Sequence, residues 1–564
     1  MSITYKSDIL NVSNVSALFN LKVANKQLVQ TRGYSTEGIG SNLYRYDASS
    51  VATIDGGFIL PGLGGTLSFS GTTFNGVAGT GRFIAVDQTI ADTSMFGEIA
   101  DNVTDDRNAI QRALSCGAKT ITMQGGKTRF IGSTLNIPTN VTLIGLGKDA
   151  SLRMTAISDL LSVSSNTTID NISLSGPGNA TYQTGSVAIA IRGTLASRVT
   201  NINIKNVTID DFAEYAIYGE FCTNTTISKN NISNIGYAGV MILSGDTCEV
   251  SDCKISDITP GTSGNAYGVA FTMNNASTDL VATPRSIHCK AIRNIITNIP
   301  VWEALDTHGG DDILFKDNEI RNCKHGIVAG KTGVNVGALL VNAINNNITV
   351  NKNGYGIVFT NDLSGSTFIT GSITGNIIKE AGIDGFSPDL GAIQLEKTIG
   401  VRVSENTILD AAGHGIVIFQ KNVGALISKN SIVDPQTPDS VLWDVACVAV
   451  RSTDNSAIID GNAFIRSGNI SGKKVAVCGF LMDTTSGCEI TMGQNFNSCT
   501  LPLAGTLASV VRHGRFFGQA GKFVGTGAPA FAASVGSEYT DVSGSTGTVF
   551  YINEDGTSGG WVAK

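Results

Sequence analysis

Short apolar runs, separated by Gly, Asn, Asp and Ser, repeat along most of this sequence. Each repeat begins with a Gly or Ala followed by an apolar residue: Ala216-Ile217, Gly239-Val240, Gly268-Val269, Ala304-Leu305, Gly326-Ile327, Gly356-Ile357, Ala392-Ile393 and Gly415-Ile416. Each then reaches an Asn followed two positions later by an apolar residue: Asn230 and Ile232, Asn294 and Ile296, Asn318 and Ile320, Asn346 and Ile348, Asn376 and Ile378, Asn406 and Ile408, Asn430 and Ile432, and Asn462 and Phe464. A helix spaces its apolar residues by about 3.6 positions, whereas alternation within short runs is the pattern of a strand.

The repeat has the length of one turn of a solenoid. Asn318 follows Asn294 by 24 residues and Asn376 follows Asn346 by 30 residues, which is the range of one supersecondary unit. Short strands joined by turns, with no helix between them, predict an all-β fold that contains a parallel β-helix, or solenoid. Stacked turns would place the Asn side chains above one another in a hydrogen-bonded ladder, about 4.8 Å apart.

Composition agrees with a long, turn-rich β protein. The chain has 564 residues, of which 66 are Gly and only 15% are charged. A solenoid tolerates this length because each turn contacts only its neighbours. The net charge of −7 argues against a nucleic-acid partner, which requires a basic surface.

Neither a membrane span nor a secretion signal is expected. The first residues, MSITYKSDILNV, lack a basic segment followed by an apolar core, and no stretch approaches the roughly 18 apolar residues that cross a bilayer. We therefore expect synthesis in a cytoplasm without signal cleavage. The ten Cys form no CxxC pair and have no zinc-ligand spacing, so stacked thiols inside the coil are favoured over disulfides or a metal. No metal or other cofactor is expected.

Three regions follow from these patterns. Residues 1–92 read as a small β domain with short strands between Gly- and Ser-rich loops. Residues 93–500 carry the coil, and residues 501–564 lose the repeat while keeping strand-like runs. The fold expected is therefore a long parallel β-helix between a small N-terminal β domain and a small β-rich C-terminal domain.

A helix is expected just before the coil, within the segment MFGEIADNVTDDRNAIQRAL. It would cover about residues 105–115, with Thr104 or Asp105 as its N-cap and acidic residues in its first turn. The apolar face of this helix would consist of Ile110, Ala113 and Leu114. Such a helix would cover the open end of the coil, where backbone groups and apolar residues are otherwise exposed.

Both ends of the coil carry family motifs. The helix segment resembles the FGAxGDGxTDDTxAIQ motif that opens the pectate-lyase-like right-handed β-helix of phage tailspikes and related depolymerases. It departs from this motif at Glu98 to Asn102, where EIADN replaces AxGDG. The final residues, GSEYTDVSGSTGTVFYINEDGTSGGWVAK, resemble the closing segment of that family, GSxYxRxDGGxGTTLYVKExGTGxxGWVxK. The matching packing residues are Tyr539, Val549, Tyr551 and Trp561.

The resemblance implies both an architecture and an activity. It implies a right-handed β-helix, a homotrimer assembled through the C-terminal segment, and a place on the phage virion. The N-terminal domain would attach to the phage tail, its baseplate or another tailspike. The expected activity is binding and cleavage of a bacterial surface polysaccharide, such as a capsule, an exopolysaccharide or an O-antigen.

The densest group of reactive side chains lies in one turn, Val301 to Gly326. Strand alternation places Leu305 and Thr307 on one face and Asp306 and His308 on the other. Aligned turns predict small outward neighbours for the two polar residues: Ala270 and Val328 beside Asp306, and Thr272 and Gly330 beside His308. With Glu303 just upstream, the catalytic candidates Glu303, Asp306 and His308 would lie on an exposed strand at the floor of a shallow groove.

Aromatic residues near this cluster are candidates for binding sugar rings. Trp302 would supply a stacking face, and Tyr267 and Tyr355 lie at related positions of nearby turns.

Two carboxylates outside the cluster are further binding candidates. Asp384, in the loop IDGFSPDLG, could meet a neighbouring subunit in a groove between chains. Glu396 falls in the same column as His308, three turns away, or about 14 Å at one strand spacing per turn. By that estimate Glu396 is too far from His308 to share one site.

Hydrolysis and elimination both fit the cluster. A glycoside hydrolase needs one protonated and one ionised carboxyl group, about 5–5.5 Å apart when the enzyme retains configuration and further apart when it inverts. Glu303 and Asp306 could form that pair, with His308 adjusting the pKa of a carboxyl group.

A lyase instead removes a proton beside a uronate carboxylate, and requires a His or Tyr base. The step from Asp306 to His308 resembles the Asp-Pro-His-Glu site of β-helical alginate epimerases, although Thr307 replaces the Pro and Gly309 the Glu. We favour hydrolysis, with a lyase and a receptor-binding spike without turnover as alternatives. A bacterial enzyme not carried on a virion is disfavoured by the absence of a signal sequence.

Overall fold

The architecture is that of a computed structural model, and it is mostly β. The structure describes residues 9–260, 264–274, 276–351, 353–383, 390–438, 444–469, 471–476, 478–482, 487–499, 501–505, 511–513, 522–531, 533, 535–545 and 549–564. The chain divides into two compact units, Met1–Gly239 with Pro260–Ser263 and Val240–Thr259 with Gly264–Lys564. Among the described residues, no helix has the length and apolar character needed to cross a membrane.

The first unit begins with a five-stranded sheet. In sheet order its strands are Leu10–Val12, Leu28–Gly33, Glu37–Asp47, Thr80–Ala85 and Ile59–Leu63. The first pair is parallel and the other pairs are antiparallel. A short hairpin, Phe69–Ser70 with Thr73–Phe74, and two 3-10 helices, Val15–Asn20 and Thr93–Phe96, accompany the sheet. Tyr44, Leu60 and Phe83 are fully buried, so this sheet has an apolar core of its own.

The helix expected before the coil is present as Arg107–Ser115. Its Ile110, Ala113 and Leu114 are at most 1% exposed, as the apolar pattern predicted. The predicted cap position was wrong, because the N-cap is Asp106 and the first turn has no acidic residue, but the Asp105 carboxylate does accept a hydrogen bond from the Arg107 backbone N–H at 3.0 Å. The Asp106 carboxylate accepts hydrogen bonds from the backbone N–H groups of Ile99 (2.6 Å) and Ala100 (2.8 Å), and so fixes the preceding loop instead.

A buried ion pair explains the departure from the family motif in this loop. Glu98 accepts two hydrogen bonds from the Arg129 guanidinium, at 2.6 and 2.8 Å, and the two side chains are 1% and 0% exposed. Arg129 also donates to the carbonyl oxygens of Gln124 and Lys127. Glu98 is therefore held in place by its buried position and by its ion pair with Arg129.

The first unit then forms a parallel coil from two sets of strands. One set is Ile90–Asp92, Thr120–Gln124, Thr142–Leu146, Thr167–Asp170, Val199–Lys205 and Cys222–Ser228. The other set is Lys127–Ile131, Leu135–Ile137, Ala150–Met154, Asp159–Val163, Ser173–Ser175, Val187–Arg192, Thr208–Phe212, Tyr215–Glu220 and Asn231–Ile235. Every described pairing within these sets is parallel, as in a β-helix.

The second unit repeats this architecture. One set of strands is Asp246–Ser251, Lys290–Ile292, Ile313–Lys316, Leu340–Ile344, Thr370–Thr374, Arg402–Ser404, Ala425–Ser428, Ser456–Asp460, Glu489–Met492 and Val511–His513. The other is Lys254–Ile258, Tyr267–Thr272, Ile295–His308, Glu319–Gly330, Asn347–Val350, Ile357–Phe359, Ile377–Lys379, Gly391–Glu396, Thr407–Leu409, His414–Gln420, Ser431–Val433, Ala446–Val450, Ala463–Ile465, Cys478–Met482, Phe496–Asn497 and Leu501–Gly505. The strand Ala238–Leu243 contains the division between the two units.

Three smaller pairings complete the second unit. Asn353–Gly354 pairs with Gly382–Ile383, and Gln436–Pro438 pairs with Lys473–Val475, both antiparallel. The C-terminal sheet consists of Lys522–Gly525, Glu538–Asp541, Phe550–Asn553 and Trp561–Ala563. Parallel pairing of the coil extends to Val511–His513, beyond the end at residue 500 that the repeat suggested.

The predicted asparagine ladder is confirmed in the second unit. Each side-chain amide donates to the side-chain oxygen of the next Asn at 2.9 or 3.0 Å, through Asn294, Asn318, Asn346, Asn376, Asn406, Asn430, Asn462 and Asn495. Beside the ladder, apolar residues of successive turns pair in register, as in Val269, Leu305, Ile327, Ile357 and Ile393. All ten Cys are free thiols, and only Cys116 is not fully buried, so the preference for stacked thiols over disulfides is confirmed.

Candidate functional site

The strand Ile295–His308 presents its side chains as the alternation predicted. Leu305 and Thr307 are fully buried, and the Thr307 hydroxyl donates to the carbonyl oxygen of Phe271 at 2.7 Å. Asp306 and His308 lie on the other face, where the His308 Nδ1 atom is 3.4 Å from an Asp306 carboxylate oxygen. The imidazole and the carboxylate therefore form one unit at the end of this strand.

Strand register confirms the predicted neighbours of these two residues. Asp306 pairs with Ala270 in one adjacent turn and with Val328 in the other. His308 pairs with Gly330, and its carbonyl oxygen accepts a hydrogen bond from the Thr272 hydroxyl at 2.7 Å. Small side chains around the two polar groups leave room above them.

Glu303 joins the same cluster, although residues three apart alternate to opposite faces in a regular strand. One donor atom from each of Glu303, Asp306 and His308 lies within 4.8 Å of the other two. The pairing of this strand with the next one shifts register just before Glu303, between Ile299 and Glu303, so Glu303 begins a new stretch of regular pairing. We call Glu303, Asp306 and His308 the carboxyl–imidazole cluster.

The expectation of an exposed cluster was wrong for two of its three members. Glu303 is 4% exposed and Asp306 is 1% exposed, whereas the His308 side chain is 25% exposed. A buried carboxyl group resists ionisation because water no longer solvates its charge. Burial therefore determines the protonation of the cluster.

The two carboxyl groups are buried in the same cluster, and each affects the pKa of the other. Burial, together with the adjacent Asp306 carboxylate, raises the pKa of Glu303 well above its ordinary value of 4.5. Burial also raises the pKa of Asp306, an effect opposed by the charge of His308 and by the hydrogen bond from Glu303. One buried oxygen on each carboxyl group accepts no hydrogen bond from the described residues, and the Asp306 oxygen of this kind is the one that lies 3.4 Å from His308 Nδ1. We assign the proton to Glu303 and the negative charge to Asp306.

The same three side chains are of kinds that bind divalent cations. Two carboxylates and one imidazole supply three ligands, fewer than the four of a structural zinc site but the number that a catalytic zinc site takes from its protein. That catalysis needs no metal stays a prediction.

The cluster opens into a cleft of about 340 Å³ that extends over several turns of the second unit. Its lining comprises Trp302, Glu303, His308, His325, Val328, Gly330, Lys331, Tyr355, Val358, Thr360, Gln394 and Glu396. The lining combines aromatic surface with a few titratable groups, as is usual for a carbohydrate or small-molecule site.

An aromatic wall forms one side of the cleft. The His325 ring lies edge-on to Trp302, with centroids 5.8 Å apart, and stacks on Tyr355 at 5.0 Å. The Tyr355 backbone N–H donates to His325 Nδ1 at 3.1 Å, which fixes the ring. Burial lowers the pKa of His325 to about 4, so this ring is neutral at pH 7. The Lys324 ammonium lies 5.2 Å from the Trp302 ring centre.

The predicted binding residues differ in their position relative to the cleft. Trp302 and Tyr355 line the cleft. Tyr267 pairs with Glu303 one turn away, but it is 6% exposed and is not part of the lining. Asp384 lies outside the described residues. Roles in substrate binding stay predictions for all four.

Glu396 lies three turns from His308, as strand counting predicted. Both residues nevertheless line one elongated cleft, so they lie within reach of different parts of one long ligand. A Cβ atom on Gly330 would lie 3.1 Å from His308 Nε2 and 3.9 Å from the Thr360 methyl group, so these side chains converge over the glycine. The Thr360 hydroxyl donates to Glu396, whose pKa is raised by burial.

Sequence reasoning missed four polar residues of the cleft. These residues are His325, Lys331, Thr360 and Gln394, and none of them belongs to a sequence motif. Only the register between turns would have pointed to these residues. Gly330 pairs with His308 in the adjacent turn. Asp306 pairs with Val328, Val328 with Val358, and Val358 with Gln394, so Gln394 occupies the position of Asp306 three turns later. That register depends on turn lengths, which vary along the chain.

Comparison with known families agrees with the coil. The family described as the right handed beta helix region matches residues 157–304, 187–373 and 289–497. These overlapping matches together cover more than half of the chain. No curated protein sequence is significantly similar to this chain.

Solved structures share the fold at low identity. A mutant tailspike protein of Escherichia coli bacteriophage HK620, in complex with pentasaccharide, is 13% identical, with a TM-score of 0.53 over 87% of this chain and 93% of that chain. The catalytic unit of an α-1,3-glucanase from Streptomyces thermodiastaticus is 14% identical, with a TM-score of 0.46 over 78% and 74%. The tailspike gp49 of Acinetobacter baumannii bacteriophage Fri1, a capsular polysaccharide depolymerase, is 16% identical, with a TM-score of 0.39 over 71% and 72%.

Proposed function

Because this chain belongs to the right-handed β-helix family, we propose that it is a phage tailspike that binds and depolymerises a bacterial surface polysaccharide by endo-glycosidic hydrolysis. The tailspike of bacteriophage HK620, which has the same fold over most of both chains, is described in complex with a pentasaccharide. An extended oligosaccharide is also what the open cleft of the second unit would accommodate. The family motifs at both ends of the coil support the same proposal.

The observation that carries the proposal is the pair of adjacent buried carboxyl groups, Glu303 and Asp306, beside an open cleft. Hydrolysis of a glycosidic bond needs a carboxyl group that is still protonated at neutral pH and a second that is ionised. Burial and the repulsion between two negative charges favour one protonated and one ionised group here, because only one of two adjacent buried carboxyl groups ionises readily. A site that only binds glycans has no need of such a pair.

Glu303 would act as the general acid. Its carboxyl group lines the cleft and holds the proton, so it can protonate the glycosidic oxygen as the bond to the sugar breaks. Lys324 opposes the rise in the pKa of Glu303 and stabilises the carboxylate that remains after proton transfer. Glu303 would then receive a proton from the attacking water in a second step.

Asp306 would act as the ionised partner. A separation under 4.8 Å is closer to the roughly 5–5.5 Å of retaining glycosidases than to the roughly 6.5–9.5 Å of inverting ones. Asp306 would form an ester bond to the anomeric carbon as the glycosidic bond breaks, and water would then hydrolyse that ester. His308 supports this role because its charge lowers the pKa of Asp306. The small outward neighbours of Asp306 would let a sugar approach the floor of the cleft.

The aromatic wall would position the polysaccharide. Sugar rings stack on aromatic faces through their apolar surface, and Trp302, His325 and Tyr355 present such faces in succession. Glu396 would bind sugar hydroxyl groups at the far end of the cleft. An open cleft would admit a stretch from within the polymer, and this is why we propose cleavage within the chain of the polysaccharide rather than at its end.

Elimination is a second candidate, and the exposure of His308 favours it. His308 is the most exposed member of the cluster, and the contact of its Nδ1 atom with Asp306 leaves Nε2 as the second ring nitrogen for removing a proton. Lys331 lines the same cleft and would neutralise a uronate carboxylate. This reaction requires a uronate-containing polysaccharide.

Product analysis distinguishes the two reactions. The chain would be incubated with a panel of purified capsular polysaccharides and O-antigens, with reducing ends and the ultraviolet absorbance of unsaturated uronates measured together. Hydrolysis gives reducing ends without absorbance, and Glu303→Gln and Asp306→Asn should each lower the rate at least about a hundredfold. Glu249→Gln, a carboxyl change elsewhere in the second unit, is the control.

Other outcomes of the same experiment contradict the proposal. Absorbance at the rate of chain cleavage would show elimination and move the essential role to His308. Binding of a polysaccharide without either product would show a receptor-binding spike.

We also propose that the chain is a homotrimer, and that its N-terminal domain attaches it to the phage tail, its baseplate or another tailspike. The C-terminal motif supports trimer assembly and the N-terminal domain of tailspikes supports attachment. Light scattering of the full chain tests the first part, because a monomeric mass would contradict it. Detection of the chain on purified virions tests the second.

A further inference from the structure

The first unit carries a cluster of aromatic side chains that the proposed reaction does not use. It consists of Tyr182, Tyr215, Tyr218 and Tyr237, which we call the tyrosine strip. The ring centroids are 5.7 Å apart between Tyr182 and Tyr237, 5.5 Å between Tyr237 and Tyr215, and 5.0 Å between Tyr215 and Tyr218. All four residues are half-buried. The strip is therefore one continuous aromatic surface that remains accessible to a ligand.

Buried and half-buried carboxylates hold the two ends of the strip. Glu214 is 6% exposed, accepts a hydrogen bond from the Tyr182 hydroxyl at 2.9 Å and accepts another from the Gly185 backbone N–H. The Tyr218 hydroxyl donates to Glu220 at 3.1 Å. These bonds orient the rings before any ligand arrives, which lowers the entropy cost of binding.

A cation lies over one end of the strip. The Arg192 guanidinium is 4.8 Å from the centre of the Tyr218 ring and donates two hydrogen bonds to Asp159, at 2.9 and 2.8 Å. Its side chain is 45% exposed. A guanidinium carries five N–H donors, so Arg192 can bond to Asp159 and to a ligand hydroxyl or carboxylate in the same plane.

We propose that the tyrosine strip, with Arg192, is a second carbohydrate-binding site for another segment of the polysaccharide. This inference rests on the proposed function. Pyranose rings combine an apolar face, which stacks on tyrosine rings, with hydroxyl groups that bond to charged side chains at the rim.

The polar groups beside the rings are of kinds that bind sugar hydroxyl groups. Carbohydrate and small-molecule sites combine aromatic surface with a few polar or charged groups that fix orientation. The strip is bordered by an arginine and three carboxylates, on Asp159, Glu214 and Glu220.

A second site changes how the chain treats long and short substrates. A polymer that occupies the strip and the cleft together is held by two contacts, so its second contact forms at a high effective concentration. A short oligosaccharide occupies only the cleft. The strip should therefore lower KM for the polymer while leaving kcat and the turnover of short oligosaccharides unchanged.

The test compares Tyr218→Ala with Tyr218→Phe, which keeps the ring and loses only the hydroxyl. The substrate is whichever purified capsular polysaccharide or O-antigen of the panel the chain cleaves, or binds if none is cleaved. We expect Tyr218→Ala to raise KM for the polymer at least about tenfold with kcat unchanged. Tyr218→Phe, which keeps the stacking ring and loses only the orienting bond to Glu220, should raise KM much less. Arg192→Gln should have the same effect as Tyr218→Ala, and it serves as the second variant if Tyr218→Ala does not fold.

The outcomes separate this inference from the proposed function. If the chain cleaves no polysaccharide, the proposed function fails, and binding of the intact polymer to Tyr218→Ala and Tyr218→Phe still tests the strip. Equal polymer affinity in both variants overturns the second site. Loss of the oligomer in Tyr218→Ala, measured by light scattering, would identify the strip as a subunit interface and also overturn it.

Discussion

The imidazole of His308 occupies the space that a side chain at position 330 would fill. A Cβ atom on Gly330 would lie 2.8 Å from His308 Cδ2 and 3.1 Å from Nε2, closer than van der Waals contact allows. The two residues are paired directly across adjacent turns. The glycine thus lets the imidazole lean over the next turn, toward Thr360 and Glu396.

The first prediction follows from this contact. Gly330→Ala should displace the His308 ring and lower kcat by up to about a hundredfold, because a shift of about 1 Å in a reacting group costs that much. Steady-state kinetics on the cleaved polysaccharide would measure the effect. Gly468→Ala is the matched control, since a Cβ atom there meets no heavy atom within 4 Å. Unchanged kcat in Gly330→Ala would show that the position of His308 does not matter.

The second prediction concerns the pH dependence of activity. Glu303 must be protonated and Asp306 ionised, so activity should rise through the pKa of Asp306 and fall through the pKa of Glu303. Both pKa values are raised, Asp306 from 3.8 and Glu303 well above 4.5, which places the bell-shaped profile at higher pH than ordinary carboxyl groups give.

His308→Gln tests the assignment of the acid limb. The charge of His308 lowers the pKa of Asp306, so its removal should shift the acid limb to higher pH. The alkaline limb should move less, because Asp306 and Lys324 have the larger effects on Glu303. An acid limb and an alkaline limb that both lie in the ordinary carboxyl range would contradict the raised pKa values of Asp306 and Glu303.

The third prediction is that Glu303→Gln stabilises the fold at neutral pH while it removes activity. The pKa of Glu303 is higher in the folded than in the unfolded chain. The folded state therefore becomes less stable as pH rises from the unfolded pKa to the folded pKa, because in that range the group ionises only in the unfolded chain. Gln has no such penalty, and its amide can donate to Asp306. Thermal unfolding should therefore occur at higher temperature in the variant at pH 7. The difference should vanish below about pH 4, where the unfolded chain is protonated as well.

The fourth prediction concerns the asparagine ladder. The Asn346 amide donates to Phe315 and Asn376, and its oxygen accepts from both the backbone and the side chain of Asn318. Asn346→Ala leaves these buried groups unsatisfied and should cost about 3 kcal/mol in the free energy of unfolding. Asn342→Ala, which loses one half-buried bond from Ser372, should cost at most about 1 kcal/mol. Equal costs in chemical denaturation would show that the ladder adds no special stability.

Sequence patterns were sufficient to predict the coil because it forms through interactions within a strand and between adjacent turns. An extended chain alternates its side chains, and the turn-to-turn repeat stacks like on like, so the Asn ladder and the buried Leu305 and Thr307 could be predicted. The helix Arg107–Ser115 could also be predicted from its apolar face. Its capping could not, because the Asp106 carboxylate bonds to a loop fixed by the Glu98–Arg129 pair.

The candidate site divides in the same way. The sequence by itself determined that Asp306 and His308 share a face and that small residues flank them. Only the tertiary structure decided that Glu303 joins them, that both carboxyl groups are buried, and that the cleft reaches Glu396. The pKa values of Glu303 and Asp306 are raised because both carboxyl groups are buried. Their burial depends on which residues of the neighbouring turns cover them, and this depends on the register between turns. Register is set by turns of unequal length, which no local pattern along the chain specifies.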